Sequence, residues 1–348
     1  MRKVSKRSFF RVALIALTIV VVLMACSSSI AAPGWPDPRM TMHIVVGYNP
    51  GGIVDGSCRT VQPFLEKYLG IPVIVQNIPG AGGIVASNSV QAGRRDGYTA
   101  MYTSTNDSIV AHKYLSPAGV PWELGDWKST GIYTEMTTLG IIAHKNSGWK
   151  DFGDFIEAAR SDPSKTYIVA SMGPGRIDDI TVIELQRAFG VKFNWVFYGG
   201  SADVQTDLMT GDLDVGVIGA ARADFINHPE FIVLTGFARE WPDGSDFVGK
   251  IPNITDFEER LGFNVNDLSS LAVGSFHTLM VPANIPDEAF QALSAAMKQV
   301  ANDPEFQEAI KAFSWPAYYT PEETEAKFAV LRESVEQMID LHKQYVPR

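Results

Sequence analysis

Several residue patterns that define common protein classes are missing from this sequence. It has two cysteines in 348 residues, Cys26 and Cys58, so at most one disulfide can form and stability must come from hydrophobic cores. No His-x-x-x-His motif and no closely spaced cysteine pair is present, so we predict neither a metal site nor a cofactor. The Gly-x-Ser-x-Gly motif of serine hydrolases is also absent.

Positive charge is scarce as well. The formal net charge is −10, and Arg94-Arg95 is the one adjacent basic pair beyond the N-terminal segment. This balance argues against nucleic acid as a partner. Because the overall charge repels anions, any anion site must be built from local groups.

The long hydrophobic run of this sequence lies at its N-terminus. Val12 to Ala25 is apolar apart from Thr18 and follows a positively charged start. The run is too short for a comfortable membrane span but has the length of a signal-peptide core, so residues 1–26 are predicted to be an export signal. No second long run follows, so the exported part is not predicted to cross a membrane.

The end of this run allows two interpretations. Leu23-Met24-Ala25-Cys26 resembles a bacterial lipoprotein cleavage box, which would make Cys26 the lipid-bearing first residue. Alternatively, ordinary cleavage after Ala32 removes Cys26. We favour lipidation and predict an exported protein, periplasmic or at the cell surface, that contacts the membrane through a lipid anchor. Residues 27–40 are small, polar or proline-rich and are predicted to be the tether.

The rest of the chain alternates short apolar strands with helices. This alternation is typical of the α/β class and predicts mostly parallel sheets. The roughly 320 residues that remain after the signal are too many for one compact core, so we expect two lobes.

Polar and glycine-rich turns follow many of the predicted strands. In the first, Gly51 and Gly52 separate the strand His43–Val46 from a predicted helix whose free N–H groups favour an anion. Because ligands of parallel sheets bind at the carboxyl ends of strands, turns around 47–108 and 171–221 suggest two lobes facing across a cleft. The five turns are 47–55, 77–83, 104–108, 171–176 and 198–202.

Individual side chains in these turns are candidates for binding, each with a simpler alternative. Arg176 could bind a carboxylate in the cleft through two parallel hydrogen bonds, or could be a surface arginine paired with Asp178 or Asp179. Asn106 and Asp107 are predicted to line the cleft.

Three other residues have structural alternatives of the same kind. Asp55 could orient a water or a ligand amine, or could simply stabilise the first helical turn. Tyr48 and Tyr198 could stack on a ligand or hydrogen-bond to it, or could pack against the protein.

Seven segments match a known family in order along the chain. They are Val45 to Gly52 with Asp55, Pro63 to Gly70 with Pro72-Val73, Gln76 to Gly83, Asp96 to Thr99, Tyr198 to Ala202, Gly211 to Asp214, and Met280 to Pro286. On these segments the chain resembles the substrate-binding receptors of tripartite tricarboxylate transporters, also called Bug receptors.

The resemblance implies a two-lobed periplasmic-binding-protein (type II) fold with two mixed sheets, flanking helices and a hinged ligand cleft. On that fold, residues 41–140 and 265–348 form lobe 1, and residues 141–264 form lobe 2. The family captures small organic carboxylates for membrane permease subunits and holds them largely by backbone N–H groups, hydroxyls and water. The positions carried over are Tyr48, Gly51, Gly52, Asp55, Ser171, Gly173, Gly175, Tyr198, Gly199 and Ser201.

The chain departs from the family pattern at two places. It has Met172 to Asp179 where Ser, Gly and Thr followed by small residues and His are common, and Tyr48-Asn49 where Pro and Phe are frequent. The class of carboxylate therefore stays open.

Two other functions remain as alternatives to transport. A sensing adaptor for a membrane sensor kinase would have the same fold and cleft. An exported hydrolase is disfavoured, because the sequence shows no serine evidently paired with a histidine. We therefore predict a binding receptor without enzymatic activity.

Overall fold

The computed structural model describes residues 34–104, 109–116, 119–136, 139–172, 176–219, 226–237, 249–268, 275–313 and 315–345. The predicted signal peptide and Cys26 lie outside this part. The described residues from Pro38 onward belong to one compact unit that contains two β-sheets. No helix in the described part is long and apolar enough to cross a membrane.

The larger sheet has six strands in the order β11-β4-β10-β3-β1-β2. Strand β1 pairs in parallel with β2 and β3, whereas β10 pairs antiparallel with β3 and β4, and β11 pairs antiparallel with β4. The strands are β1 Met42–Val46, β2 Val73–Asn77, β3 Thr99–Ser104, β4 Trp127–Met136, β10 Ser275–Pro282 and β11 Trp315–Tyr319.

The smaller sheet has five strands in the order β7-β6-β8-β5-β9. Strand β6 runs parallel to β7 and β8, and β5 runs antiparallel to β8 and β9. The strands are β5 Leu139–His144, β6 Tyr167–Ser171, β7 Phe193–Phe197, β8 Val215–Gly219 and β9 Phe231–Gly236.

The α-helices, numbered over the described residues, pack around these sheets. They are α1 Ile53–Leu69, α2 Ile84–Ala92, α3 Ala111–Leu115, α4 Phe152–Ser161, α5 Ile177–Phe189, α6 Ser201–Thr210, α7 Glu258–Leu261, α8 Asp287–Ala301, α9 Pro304–Ile310 and α10 Pro321–Tyr345.

The expectation of mostly parallel sheets was wrong. Strands β4 and β11 were not predicted, and each is antiparallel to its neighbours. Strand β4 mixes polar and apolar residues without a regular alternation and contains Gly131 at φ +122°, while β11 contains Pro316, so neither has the continuous apolar run of a buried parallel strand. Two mixed sheets flanked by helices, the architecture implied by the family resemblance, are observed.

Sheet topology places the glycine-rich turns where a ligand can meet them. The parallel strands β1 and β2 of one sheet, and β6 and β7 of the other, lead into four of these turns. Hydrophobic side chains on the flanking helices and strands form separate buried clusters around each sheet. Rigid sheets therefore hold the turns in fixed positions.

Candidate ligand-binding site between the two sheets

The first glycine turn is held in shape by Asp55. This carboxylate is 2% exposed and accepts hydrogen bonds from the Gly51 N–H at 2.9 Å and the Asn77 Nδ2 at 2.8 Å. The Arg59 Nε donates to both carboxylate oxygens at 3.0 Å. Burial raises the pKa of Asp55, but these hydrogen bonds outweigh it, and the pKa is lowered from its ordinary value. Asp55 therefore positions the turn.

Arg176 joins the two sheets from the start of helix α5. It is 5% exposed, and its Nε donates to the Asp178 Oδ1 at 2.9 Å. Its Nη1 donates to the Tyr48 hydroxyl, and its guanidinium lies 5.0 Å from the centre of the Tyr48 ring. Arg176 is thus a buried cleft residue that pairs with Asp178, and the alternative that places it on the surface is wrong.

The Asp178 carboxylate has further hydrogen-bond donors in its own lobe. Its Oδ2 accepts from the Ser171 Oγ at 2.7 Å and from the Met172 N–H at 2.5 Å. The Ser171 Oγ also lies against a carboxylate oxygen of Asp179, which is fully buried. Ser171 therefore supports the loop that carries Arg176, and its hydroxyl is committed to two carboxylates.

The turn at 198–202 contacts the turn at 47–55 directly. The Ser201 Oγ accepts a hydrogen bond from the Ile53 N–H at 3.1 Å, which is one of the helix-start donors expected to face an anion. The Asn49 N–H donates to the Gly199 carbonyl at 2.9 Å, and the Asn49 Nδ2 donates to the Asp203 Oδ2 at 2.8 Å. The turns of the two sheets therefore bond to each other.

Close packing at this contact requires glycine. A Cβ atom on Gly199 would lie 2.5 Å from the Asn49 Nδ2, and one on Gly52 would lie 3.3 Å from the Ser201 Oγ. Gly51 has φ +85°, a conformation that favours glycine.

Tyr198 is anchored within its own half of the molecule. Its hydroxyl donates to the Asp207 Oδ2 at 2.6 Å, and its ring packs against the cluster around Val204 and Leu208. Burial and the Asp207 carboxylate raise the pKa of Tyr198 above its ordinary value. The packing alternative for Tyr198 therefore has direct structural support, although the ring still reaches a cavity edge.

Two cavities lie between the turns of the two sheets. The inner one has a volume of about 40 Å³ and is lined by Tyr48, Gly52, Ile53, Val54, Leu139, Met172, Arg176, Asp178, Gly200, Ser201, Val217, Ile218 and Gly219. The outer one has a volume of about 220 Å³ and is lined by Gly47, Tyr48, Gly80, Ala81, Gly82, Met172, Phe197, Tyr198 and Gly199. Tyr48 and Met172 border both cavities, so they separate two compartments of one cleft.

The sequence-based site is brought together in part. Tyr48, Gly52, Arg176, Tyr198, Gly199 and Ser201 line one or both cavities. Gly51, Asp55 and Ser171 lie behind this lining and hold it. Asn106, Asp107, Gly173 and Gly175 lie outside the described residues.

Sequence reasoning missed the apolar part of the lining. Ile53, Val54, Leu139, Met172, Val217 and Ile218 were not named as candidates, although they surround the inner cavity. The turn that contains Gly80–Gly82 was predicted to face the cleft, as one of the five turns, but none of its residues was named as a candidate. A usable signal existed for Val217 and Ile218. Both lie near the carboxyl end of a strand that runs parallel to β6, and ligands of parallel sheets bind at that end.

A buried serine–histidine contact was also missed. The Ser57 Oγ lies 3.1 Å from the His277 Nδ1, although the two residues are far apart in the sequence. Both residues are fully buried and neither lines the two cleft cavities. In the described part, no group of three or more His, Cys, Asp or Glu side chains could hold a metal ion.

Comparison with known proteins gives a consistent set of relatives. The family model described as tripartite tricarboxylate transporter family receptor matches residues 57–342. A UPF0065 protein of Cupriavidus necator is 25% identical over 293 residues, which is 84% of this chain and 84% of its own.

Solved structures share the fold at low sequence identity. The periplasmic binding protein BugD has a TM-score of 0.74 at 20% identity, covering 88% of this chain and 98% of its own. MatC from Rhodopseudomonas palustris with bound malate has a TM-score of 0.72 at 21% identity, covering 88% and 100%. These matches confirm the two-lobed periplasmic-binding-protein fold that the sequence resemblance implied.

Proposed function

This chain belongs to the tripartite tricarboxylate transporter receptor family, and we propose that it binds a small organic carboxylate in the cleft that contains Arg176. The observation that carries the proposal is a buried guanidinium placed where turns from both sheets meet. MatC, which shares the fold, was solved with bound malate. The bound acid would then be delivered to the membrane components of the transporter.

The charges that line the inner cavity cancel, so a bound carboxylate must be held by hydrogen bonds and not by net charge. Arg176 and Asp178 form a buried ion pair with side chains 6% and 1% exposed. A carboxylate that adds to Arg176 receives charge-assisted hydrogen bonds in a site of low dielectric constant. Neutral donors from the glycine turns can complete its shell without a further buried charge.

Binding requires the cleft to open. The inner cavity of about 40 Å³ holds only a few water molecules, at roughly 10–15 Å³ for each. We propose that residues 41–140 and 265–348 move as lobe 1 against residues 141–264 as lobe 2. The bonds from Asn49 to Gly199 and Asp203 would break on opening and form again around the ligand.

Export and lipid anchoring are part of the proposal and are supported by the N-terminal sequence. Residues 1–26 have the charge and hydrophobic pattern of a signal peptide, and Cys26 follows a lipoprotein-like box. Labelling cells with radioactive palmitate should mark the wild-type protein. Label retained by a Cys26→Ala variant would contradict lipidation at this residue.

A thermal-shift screen with mono-, di- and tricarboxylates tests the binding function. An acid present at 100 times its Kd should add about 2.7 kcal/mol to the free energy of unfolding, which raises the melting temperature visibly. If no acid raises it, the proposed function is wrong.

A double variant tests whether the acid binds at Arg176. Arg176→Met alone would leave the Asp178 carboxylate buried without its cation, a loss of about 3–5 kcal/mol of stability. The double variant Arg176→Met/Asp178→Asn removes both charges and should fold, yet bind the acid about 10- to 100-fold more weakly. Arg94→Met is the control, because the exposed Arg94 pairs with Asp96 and lines neither cavity. Unchanged affinity in the double variant would remove Arg176 from the site.

A further inference from the structure

The edge of the smaller sheet that faces the cleft changes from polar and charged groups at one end to apolar side chains at the other. The relevant part of the strand order is β7-β6-β8-β5. Polar and charged groups follow β7 and β6, whereas apolar side chains lie at the ends of β8 and β5 that border the cleft. A ligand lying along this edge therefore meets two different environments.

The polar end contains all the charge found in the lining of the inner cavity. Ser201 comes after β7, and Arg176 and Asp178 come after β6. Both oxygens of Asp178 already accept hydrogen bonds, from Arg176, Ser171 and Met172. One anionic group of a ligand can be placed here, against the guanidinium.

The apolar end contains no charged or hydroxyl side chain among the described residues that line the inner cavity. Val217 and Ile218 precede Gly219, the last residue of β8, and Leu139 begins β5 beside them. The backbone of Leu139 faces Gly219 in the antiparallel ladder, so the sheet itself uses these backbone groups. A second carboxylate placed here would lose its hydration without gaining hydrogen bonds, which is strongly unfavourable.

Helix α1 covers the apolar end from the opposite side of the cleft. Ile53 and Val54 are its first two residues, and both line the inner cavity. Met172, 7% exposed, closes the same space next to Arg176. The distance from β6 across β8 to β5 is about 10 Å, two strand spacings, which is enough for the body of a small organic acid.

We propose that the ligand of this receptor is a monocarboxylate with an apolar body, rather than a di- or tricarboxylate. Its carboxylate lies at Arg176, and its aliphatic or aromatic body lies along Val217, Ile218 and Leu139 under Val54. The proposal rests on the proposed function, because it assigns the ligand class of the same cleft. It makes Val54 a residue that determines specificity.

Matched pairs of acids test the ligand class by isothermal titration calorimetry on the mature wild-type protein. Hexanoate and adipate have the same number of carbons, as do 4-methylbenzoate and terephthalate, and each pair differs by one carboxylate. In at least one pair the monocarboxylate should bind tighter by about tenfold or more, because the second carboxylate of the diacid would be buried against apolar side chains.

A single substitution tests the apolar end. Val54 is partly exposed at the start of α1, so Val54→Thr keeps the side-chain size and places a hydroxyl in the cavity wall. It should weaken binding of the preferred monocarboxylate about three- to tenfold. Val330→Thr is the control, because Val330 is 63% exposed on helix α10 and should leave the Kd unchanged.

The outcomes separate this inference from the proposed function. Tighter binding of a diacid in both pairs, or of malate over every monocarboxylate, would overturn the ligand class and leave the carboxylate receptor standing. An unchanged Kd in Val54→Thr would also overturn it. If the thermal-shift screen finds only di- or tricarboxylates, the inference fails and the proposed function stands, whereas a screen in which no acid binds overturns both.

Discussion

His277 is a histidine kept neutral inside the core around the larger sheet. Its Nδ1 contacts the Ser57 and Thr134 hydroxyls at 3.1 Å and 3.0 Å, and Ser57 in turn contacts the Tyr102 hydroxyl at 2.6 Å. Burial alone lowers the pKa of His277 to about 4. Burial also raises the pKa of Tyr102 and of the neighbouring Cys58, so neither ionises at neutral or acidic pH.

The buried His277 should make the free energy of unfolding decrease in mild acid. The unfolded chain binds a proton at His277 near pH 6.5 and the folded chain only near pH 4. Stability is therefore complete above pH 6.5 and falls as the pH decreases towards 4, by about 3 kcal/mol in total. Urea unfolding at several pH values between 7.5 and 4.5 measures this fall, and His277→Gln should reduce it.

His43→Gln is the matched control, because His43 is an exposed histidine on strand β1 of the same sheet. Carboxylates with lowered pKa values, such as Asp55, lose their contribution at lower pH. An equal fall in His277→Gln and wild type would show that another group causes the acid sensitivity.

Helix α1 is the element that links the cleft to the C-terminal part of the chain. Its first residues line the inner cavity, and Asp55 and Arg59 hold the turn before it. Gly56, which directly follows Asp55 in this helix, lies against the ring of Phe313. A Cβ added to Gly56 would be 2.2 Å from the Cε1 atom of that ring. Glycine is therefore required inside this helix by packing.

We expect Gly56→Ala to destabilise the protein, although alanine is normally the better helix residue. The ring of Phe313 must move away, and overpacking of this kind costs about 1–3 kcal/mol. Chemical denaturation of the purified protein measures the change. Gly125→Ala is the control, because a Cβ there meets nothing within 4 Å.

The double variant Gly56→Ala/Phe313→Leu provides a second check at this contact. Leucine removes the ring that the alanine methyl would meet, so the double variant should be more stable than expected from adding the two single changes. Strict additivity of the two changes would contradict a direct clash between these residues.

At the scale of the whole molecule, the two sheets are joined at the cleft by direct hydrogen bonds. The bonds run from Ile53 to Ser201 and from Asn49 to Gly199 and Asp203. Together with the contact between Arg176 and Tyr48, they bring the turns together at close range. These bonds favour a closed cleft and compete with solvent when the cleft opens.

Gly199→Ala should shift this balance towards the open form. The added Cβ would lie 2.5 Å from the Asn49 Nδ2, which Asp203 holds in place. We expect ligand affinity to fall about three- to tenfold, because closure becomes less favourable, while the free energy of unfolding changes by less than about 1 kcal/mol. Titration calorimetry and the radius of gyration from small-angle X-ray scattering measure the two effects.

The Gly125→Ala variant should match wild type in both measurements. If Gly199→Ala bound its ligand with wild-type affinity and kept a wild-type radius of gyration, close approach of Asn49 and Gly199 would not be part of closure.

Much of this molecule was predictable from local patterns. Signals in the chain found the glycine turns after β1, β6 and β7, because glycine and the apolar runs before it act locally. Strands β4 and β11 were not predicted, because antiparallel strands of mixed polarity have no strong local sequence pattern.

The sequence by itself determined the family, the α/β class and most of the polar candidates of the cleft, since these depend on short motifs and their order. Only the tertiary structure decided the role of each side chain. It turned Asp55 and Ser171 inward as supports, paired Arg176 with Asp178 and Tyr48, and assembled the apolar wall from Val54, Leu139, Val217 and Ile218. The physical reason is that burial and hydrogen-bond partners arise between residues distant in the chain, where no local pattern can specify them.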